Sequence, residues 1–364
     1  MVISIFDDLE HPQYGGGGAL VVEKLAHMLS EEFETTVVTT GRRGGARVRR
    51  GVHYRYLPLC WAGPRGGQAL FHTVLPFLAR RLPHDLWIES FTPPFSTSFL
   101  PLFSRAEVIG LGQQLSGEAM WRRYRLPFHV VERFGLRFYR SVVTLNDAEA
   151  DLVRHHSPSA DVHVIPNGVE GRPLDLARLG QGDHILFLGR IDLNCKGLDL
   201  LLAAYARAAP PMPLLLAGSG PRQQERRLAA MLAGAGDGVR WLGQVGDEVK
   251  KDLLDRSAFL VMSSRTESFG IAALEAMTWG KPVLHFDLPS LRWMSGGDVA
   301  VPPFEVDMFA TKMRELATDA ELRRRLGLQS YLSSERYTWN STAARYQSLV
   351  RHLLASREAI PVEM

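Results

Sequence analysis

The sequence predicts an α/β protein whose sheets are parallel and doubly wound. Three observations carry that expectation. Strand-like and helix-like segments alternate through residues 184–286, a glycine run at Gly15–Gly18 separates an apolar strand from an amphipathic helix, and the turn cluster Pro166-Asn167-Gly168 interrupts the chain near its middle. Regular strand–helix alternation winds into a parallel sheet, and such sheets bind ligands beyond the carboxyl ends of their strands. A chain of 364 residues divides into two domains of ordinary size, with the turn cluster as the boundary.

Taken in order, Val2–Phe6 reads as a short strand, followed by Pro12-Gln13-Tyr14, the glycines, and a helix near 19–31. Glycines here let the backbone approach a phosphate or sugar without side-chain interference, although a glycine run is also the mark of a flexible loop. The arginine cluster Arg42, Arg43, Arg47, Arg49 and Arg50 sits among glycines and reads as a loop. Val108–Gly112 is a strand leading into Gln113-Gln114-Leu115-Ser116, and Val142–Asn146 and Val164–Val169 are further apolar segments.

In the second half, Phe187–Asp199 reads as a buried strand, a tight turn and a helix. Arg190 and Lys196 flank that turn six residues apart, close enough to converge on one phosphate. Cys195 beside the lysine reads as a small turn residue rather than a redox group. Leu214–Pro221 is a strand running into a turn with Gly218 and Gly220, and Val239–Val245 and Ala258–Met262 are two more strands. Ala272–Met277 are strong helix formers, stopped by Gly280 and Pro282. From Trp339 to Ser356, apolar residues recur at helical spacing (Tyr346, Leu349, Val350, Leu353, Leu354), and Glu358–Met364 read as frayed.

The densest chemistry lies in Ser264–Glu275. Glu267 and Glu275 stand eight residues apart with Phe269-Gly270 between them. Glu267 falls in the loop before a helix and Glu275 about one and a half turns inside it. The exposed N–H groups around Phe269, Gly270 and Ile271 form an anion site at the helix start. A nucleoside diphosphate placed there has a carboxylate toward its sugar and another toward its ribose, and carboxylates accept from vicinal hydroxyls in a fork. The plainer reading is that two glutamates near a helix start complement its dipole.

The ordered set Gly189-Arg190…Lys196-Gly197, Gly218-x-Gly220-Pro221, Glu267-Ser268-Phe269-Gly270…Glu275-Ala276 and Gly280-Lys281-Pro282-Val283 resembles the retaining GT-B glycosyltransferases of family GT4. The glycine run and the segments Val142–Asn146 and Val164–Val169 agree, so the likeness covers nearly the whole chain. It implies a GT-B fold, two Rossmann-like doubly wound domains facing a central cleft that closes at the hinge. Residues 1–166 would bind acceptor, 167–340 the nucleotide sugar, and 341–364 would form a helix crossing back onto the first domain. It further implies that Arg190 and Lys196 stabilise the departing diphosphate and Glu267 holds the sugar. Gly16, Gly17, Gly189, Gly218, Gly220, Gln244, Val245, Ser268, Phe269, Gly270, Ile271 and Glu275 would contact the donor, and Tyr14, Gln113 and Asn146 the acceptor side. One departure is Gln113, where relatives commonly carry histidine; glutamine donates a hydrogen bond but holds no proton charge. The nucleoside-diphosphate sugar is a co-substrate, and the resemblance implies neither cofactor nor metal; the chain lacks the Asp-x-Asp cluster of metal-dependent transferases of the other major fold. A UDP-sugar 2-epimerase-like isomerase of similar fold and a non-catalytic nucleotide-sugar binder are the competing readings. The former needs cleft acids that the sequence does not identify; the latter leaves Arg190, Lys196, Glu267 and Glu275 without a role.

Composition narrows the field. Hydrophobic content of 46% and charged content of 22% describe a globular protein, and a net charge of +3 is too small to indicate nucleic acid. Two cysteines, Cys60 and Cys195, build no disulfide framework or metal site and suit a reducing cytoplasm. Val2–Phe6 is too short for a secretory core, and no apolar run approaches membrane-spanning length. Between Trp121 and Arg140, six arginines alternate with aromatics against one acid, Glu132. That pattern fits a peripheral membrane contact on anionic lipid, an acidic acceptor, or an ordinary solvated helix with one core face. Oligomeric state is not readable from the sequence.

Overall fold

The structure, a computed structural model, describes residues 1–10, 17–92, 97–113, 115–234 and 238–358. Through the first half run β1 (Val2–Ser4), α1 (Gly17–Ser30), β2 (Thr36–Thr40), β3 (Gly45–Arg49), β4 (Val52–Leu57), α2 (Gly63–Arg81), β5 (Leu86–Phe91), β6 (Glu107–Gly112), α3 (Gly117–Tyr124), α4 (Phe128–Leu136), β7 (Ser141–Thr144), α5 (Asp147–His156) and β8 (Asp161–Val164). Next come β9 (His184–Leu188), α6 (Leu193–Lys196), α7 (Leu198–Ala208), β10 (Leu214–Ala217), α8 (Arg222–Leu232), β11 (Val239–Gly243) and α9 (Asp247–Arg256). The chain continues through β12 (Ser257–Met262), α10 (Ile271–Thr278), β13 (Val283–Phe286), β14 (Asp298–Val301), α11 (Val306–Thr318) and α12 (Ala320–Ser334), and closes with α13 (Trp339–Glu358). Two compact units result: Met1–Asn167 with Trp339–Met364, and Gly168–Thr338.

The first unit holds an eight-stranded sheet in the order β3-β4-β2-β1-β5-β6-β7-β8. Its pairings are parallel except β3 with β4. The central strands β1, β5 and β7 are covered on both faces, so their successive residues are all buried rather than alternating with exposed ones. Ile3, Ile88 and Ile109 pack with Val22, Leu25 and Leu29 of α1, and with Tyr346, Leu349 and Val350 of α13. On the other face Val2, Trp87 and Val108 meet Phe71 and Leu75 of α2. The return of α13 is tied by Thr342 Oγ1 donating to the Pro166 carbonyl at 3.1 Å and by Arg351 on Glu32 at 2.8 Å.

The arginine cluster expected as a loop is in part a strand: Arg47 and Arg49 lie in β3, while Arg42, Arg43 and Arg50 flank it. Gly45–Arg49 pairs antiparallel with β4, placing Arg47 opposite Tyr54. Arg49 is anchored by Asp8 at 3.3 Å, Glu23 at 3.2 Å and the Tyr56 hydroxyl at 3.2 Å, and it lies 4.5 Å from the Tyr54 ring centroid. Asp8 and Glu23 are distant in sequence, so the local glycine-rich composition misled.

The second unit is a six-stranded sheet, order β11-β10-β9-β12-β13-β14, parallel throughout. One core joins Phe187, Phe259 and Phe286 to Leu201 of α7 and to Phe309 and Met313 of α11. The opposite core joins Leu186, Leu260 and Val283 to Leu254 of α9 and Ala273 and Met277 of α10. The chain leaves β9 toward β10 on one side and later enters β12 on the other. The winding thus reverses between β9 and β12, and sheets of this kind bind ligands beyond the carboxyl ends of the strands at such a point. Lys281 lies at 2% exposure and donates to the Asp255 carbonyl at 2.7 Å, and burial pulls its pKa down to about 8. Its place in the sequence motif reflects this structural tie.

Candidate active site

The turn after β9 and the loop after β12 come together at the β9–β12 reversal. Leaving β9, the chain turns through Gly189 and Arg190 into Asp192, whose carboxylate caps α6 by accepting from the N–H groups of Asn194 and Cys195 at 3.1 and 3.0 Å. This single helical turn delivers Lys196. Gly197 then takes φ +60°, and a Cβ there would stand 2.0 Å from the Ser263 carbonyl oxygen. Only glycine lets the turn lie flat against the end of β12.

The result is direct contact between residues 71 apart: the Lys196 ammonium donates to Glu267 Oε1. The same oxygen accepts from Ser264 Oγ at 2.9 Å, and the Glu267 carbonyl accepts from Ser290 Oγ at 2.6 Å. Glu267 is thereby fixed at backbone and side chain, with 8% of its side chain exposed. Arg190 stands at the rim, its guanidinium 3.8 Å from Asp192.

Behind these groups, Arg265 fastens the two loops together. Its backbone N–H donates to the Cys195 carbonyl at 2.8 Å, and its guanidinium grips Asp199 in a fork at 2.8 and 2.7 Å. That fork holds the Asp199 carboxyl below its ordinary range. Burial pushes the Cys195 thiol up, which keeps it protonated and fits a turn residue rather than a redox group.

The start of α10 follows Gly270 at φ +81°, and among the described residues no side chain caps it. The first-turn backbone carries the positive end of the helix dipole, and the Ala273 N–H donates back to the Gly270 carbonyl at 2.9 Å. The Phe269 side chain is not part of that helix end. It is buried, stacked on Trp293 at 4.4 Å and 9°, while its carbonyl accepts from Trp293 Nε1 at 2.8 Å. Phe269 therefore aims the loop by packing, and Ser268 and Ile271 flank it. Glu275 lies one turn further and accepts from Lys250 Nζ of α9 at 2.9 Å.

Gly218 and Gly220 serve backbone proximity. A Cβ at Gly218 would meet the Gly189 carbonyl oxygen at 1.8 Å, and one at Gly220 would meet that of Ile191 at 2.1 Å. These glycines bring the β10 turn onto the β9 turn. The Gly220 N–H is already engaged by Glu225 at 2.9 Å. Gln244 is exposed beyond β11, within 3.4 Å of Ser219 Oγ, and Val245 packs toward the α9–α10 core.

In the first unit, Gln113 sits just past β6, beside the β1–β5 reversal. Its amide donates to the Gly18 carbonyl and to Ser90 Oγ, both at 3.2 Å. A Cβ on Gly18 would stand 2.8 Å from Gln113 Oε1 and push the end of that side chain aside; Gly17, at the start of α1, is exposed. Asn146 is the N-cap of α5, accepting from the Glu149 N–H at 2.9 Å, a role that helix capping alone explains. Tyr14, Gly15, Gly16 and Gln114 lie outside the described residues.

Sequence reasoning missed Lys250, Ser264, Arg265, Asp199, Ser290 and Trp293. Lys250 sits among charged helix residues that read as a solvated face. The only sequence signal for Arg265 was its place beside Glu267. Among the described residues, no group of three or more His, Cys, Asp or Glu is arranged to hold a metal, and no helix is long and apolar enough to cross a membrane.

Two doubly wound units, each built on a largely parallel sheet, with a cationic turn and a carboxylate at the switch point of the second, define the GT-B class. Solved structures agree on the fold: sucrose-phosphate synthase from Thermosynechococcus elongatus aligns with TM-score 0.82 at 20% identity, covering 98% of this chain and 99% of that one. The Anabaena protein HepE, solved in complex with UDP-glucose, aligns with TM-score 0.74 at 15% identity over 97% of this chain and all (100%) of that one.

The family is equally plain. Residues 15–170 match the family model for Glycosyltransferase Family 4, and residues 176–332 match that for Glycosyl transferases group 1. The chain belongs to the GT4 glycosyltransferase family. Among its curated relatives, a phosphatidyl-myo-inositol mannosyltransferase of Mycolicibacterium smegmatis is 33% identical over 226 residues, 58% of each chain. A GDP-mannose:cellobiosyl-diphosphopolyprenol alpha-mannosyltransferase of Xanthomonas oryzae is 30% identical over 234 residues, 61% of each. The matched stretch thus spans about three-fifths of these relatives.

Proposed function

We propose that this protein is a retaining, metal-independent glycosyltransferase that moves a sugar from a UDP- or GDP-sugar to a hydroxyl of a polysaccharide, lipid or natural-product acceptor. One observation carries the reading: Lys196 is joined to Glu267 at the carboxyl ends of β9 and β12, beside the Arg190 turn and the open end of α10. In this reading the bond from sugar C1 to the diphosphate oxygen breaks, and negative charge grows on the departing phosphate. In the same reading Arg190, Lys196 and the α10 amides stabilise it, an effect of the kind worth about 2.7–4 kcal/mol per donor. The acceptor oxygen bonds to C1 from the same face, and its proton passes to the departing phosphate, so no separate protein base is needed. Glu267 holds the sugar hydroxyls, Glu275 holds the ribose, and Gln113 serves the acceptor side.

The Xanthomonas relative takes GDP-mannose by its name, and HepE was solved with UDP-glucose; both support a nucleoside-diphosphate donor here. The test is a thermal-shift panel of UDP, GDP, ADP and dTDP, followed by product analysis with the matching sugar donors. UDP or GDP at ~100 times its dissociation constant stabilises the fold by about 2.7 kcal/mol, and the product glycoside keeps the donor's anomeric configuration. An inverted product removes the retaining mechanism. An isomerised sugar, or no nucleotide response at all, removes the reading itself.

A further inference from the structure

The donor chemistry makes no use of Trp121–Arg140, yet this segment builds an unusual surface on the first unit. α4 turns Glu132, Gly135 and Leu136 inward. Glu132 Oε2 accepts from the N–H groups of Ser116 and Gly117, both at 2.9 Å, so the acid of this helix is committed to the start of α3. The outward side presents Val130 and Phe134 at 54% and 53% exposure, continued by Leu126 at 55%. Arg133 and Arg137 fall on that same side by the three- and four-residue spacing of a helix, and both are exposed, as is Arg125. Glu118, the exposed acid nearby, is 3.5 Å from Arg122.

A partner for this face must be apolar in its depth and anionic at its rim. A protein surface with an ordinary mixed rim leaves the guanidinium groups uncompensated. A nucleic acid offers phosphates but no apolar layer for Leu126, Val130 and Phe134. A bilayer containing anionic lipid supplies both at the right depth, because apolar side chains enter the headgroup–acyl boundary while basic ones remain among the phosphates.

We propose that the α3–α4 face docks on an anionic lipid bilayer, with Leu126, Val130 and Phe134 inserted and Arg125, Arg133 and Arg137 against the lipid phosphates. The interaction is peripheral and does not depend on the identity of any sugar donor.

Co-sedimentation of the full chain with phosphatidylcholine vesicles, with and without phosphatidylglycerol, tests this. Binding requires phosphatidylglycerol and weakens as salt is raised. Each arginine near such a surface contributes roughly fivefold, so Arg133→Glu with Arg137→Glu lowers the partition constant by more than tenfold. Val130→Ser with Phe134→Ser also lowers it at least tenfold, and thermal melting shows that both variants remain folded. The proposal is overturned if the parent binds phosphatidylglycerol vesicles no better than neutral ones, or if the arginine pair and the apolar pair both bind like the parent. It is equally overturned if the parent self-associates without lipid and Phe134→Ser abolishes that association, which would assign the face to a second copy. Vesicle partition requires no transfer reaction, so its failure and that of the donor reading are separately visible.

Discussion

Lys250 and Glu275 form an ion pair between neighbouring helices, Nζ to Oε1 at 2.9 Å, with 30% and 20% of their side chains exposed. The pair orients the Glu275 carboxylate before any ligand arrives.

If that carboxylate holds ribose, Glu275→Gln weakens binding of the bare nucleoside diphosphate by about tenfold, the value of one charged hydrogen bond. Lys250→Met leaves the carboxylate but frees its orientation, and weakens binding less. Titration calorimetry reads the coupling: the double variant binds no worse than Glu275→Gln alone. Additive losses would mean that lysine and glutamate act separately.

In the proposed reaction, Lys196→Ala removes a charge that faces the departing diphosphate. Turnover falls roughly 10²–10³-fold, and Arg190→Lys loses part of that, because an ammonium cannot reproduce a guanidinium fork. Lys196→Ala also strands the nearly buried Glu267, costing about 1–3 kcal/mol of stability. Adding Glu267→Gln recovers stability but not turnover. Chemical denaturation beside steady-state kinetics separates the two effects.

The contrast between two glycines tests the geometry of the turn. Gly197→Ala adds about 1–2 kcal/mol of left-handed strain to the collision with the Ser263 carbonyl, and it displaces Lys196. Gly66→Ala, inside α2 with its Cβ in ordinary contact at 3.4 Å, stabilises by about 0.4–1 kcal/mol. Urea midpoints moving in opposite directions are the expected outcome.

Glu149 has Oε2 buried without a hydrogen-bond partner among the described residues. Burial, and then the charge of Glu132, push its pKa up to about 8. A carboxyl whose folded pKa is raised contributes stability that is complete below its unfolded value, near 4.5, and is lost as pH climbs through 8. Glu149→Gln therefore melts like the parent near pH 5 and above it near pH 9. A constant difference across that range would show that Glu149 ionises as freely folded as unfolded.

What the sequence could reveal followed from local grammar. The strand–turn–helix units stood out because apolar runs end in glycine, and the start of α10 because helix formers follow Phe269-Gly270. It could also say that Lys196 and Glu267 each follow a strand. Their contact depends on β12 pairing beside β9, a non-local choice that no spacing encodes. Arg265 reaching Asp199, and Trp293 stacking on Phe269, are invisible for the same reason. β3 was hidden differently: four of its five residues are exposed, so it carries no period-two signal at all.

That exposed strand has a consequence for solubility. A parallel sheet ends in a row of unpaired amides ready to recruit another chain. Here the sheet ends at β3, a five-residue strand reading Gly-Ala-Arg-Val-Arg, whose cationic outer rank repels an identical edge. Shortening the β3–β4 hairpin would leave β4 as the rim, with Tyr54 and Tyr56 alternating along a bare ladder. The protein would then be expected to polymerise edge to edge while each copy remained correctly folded.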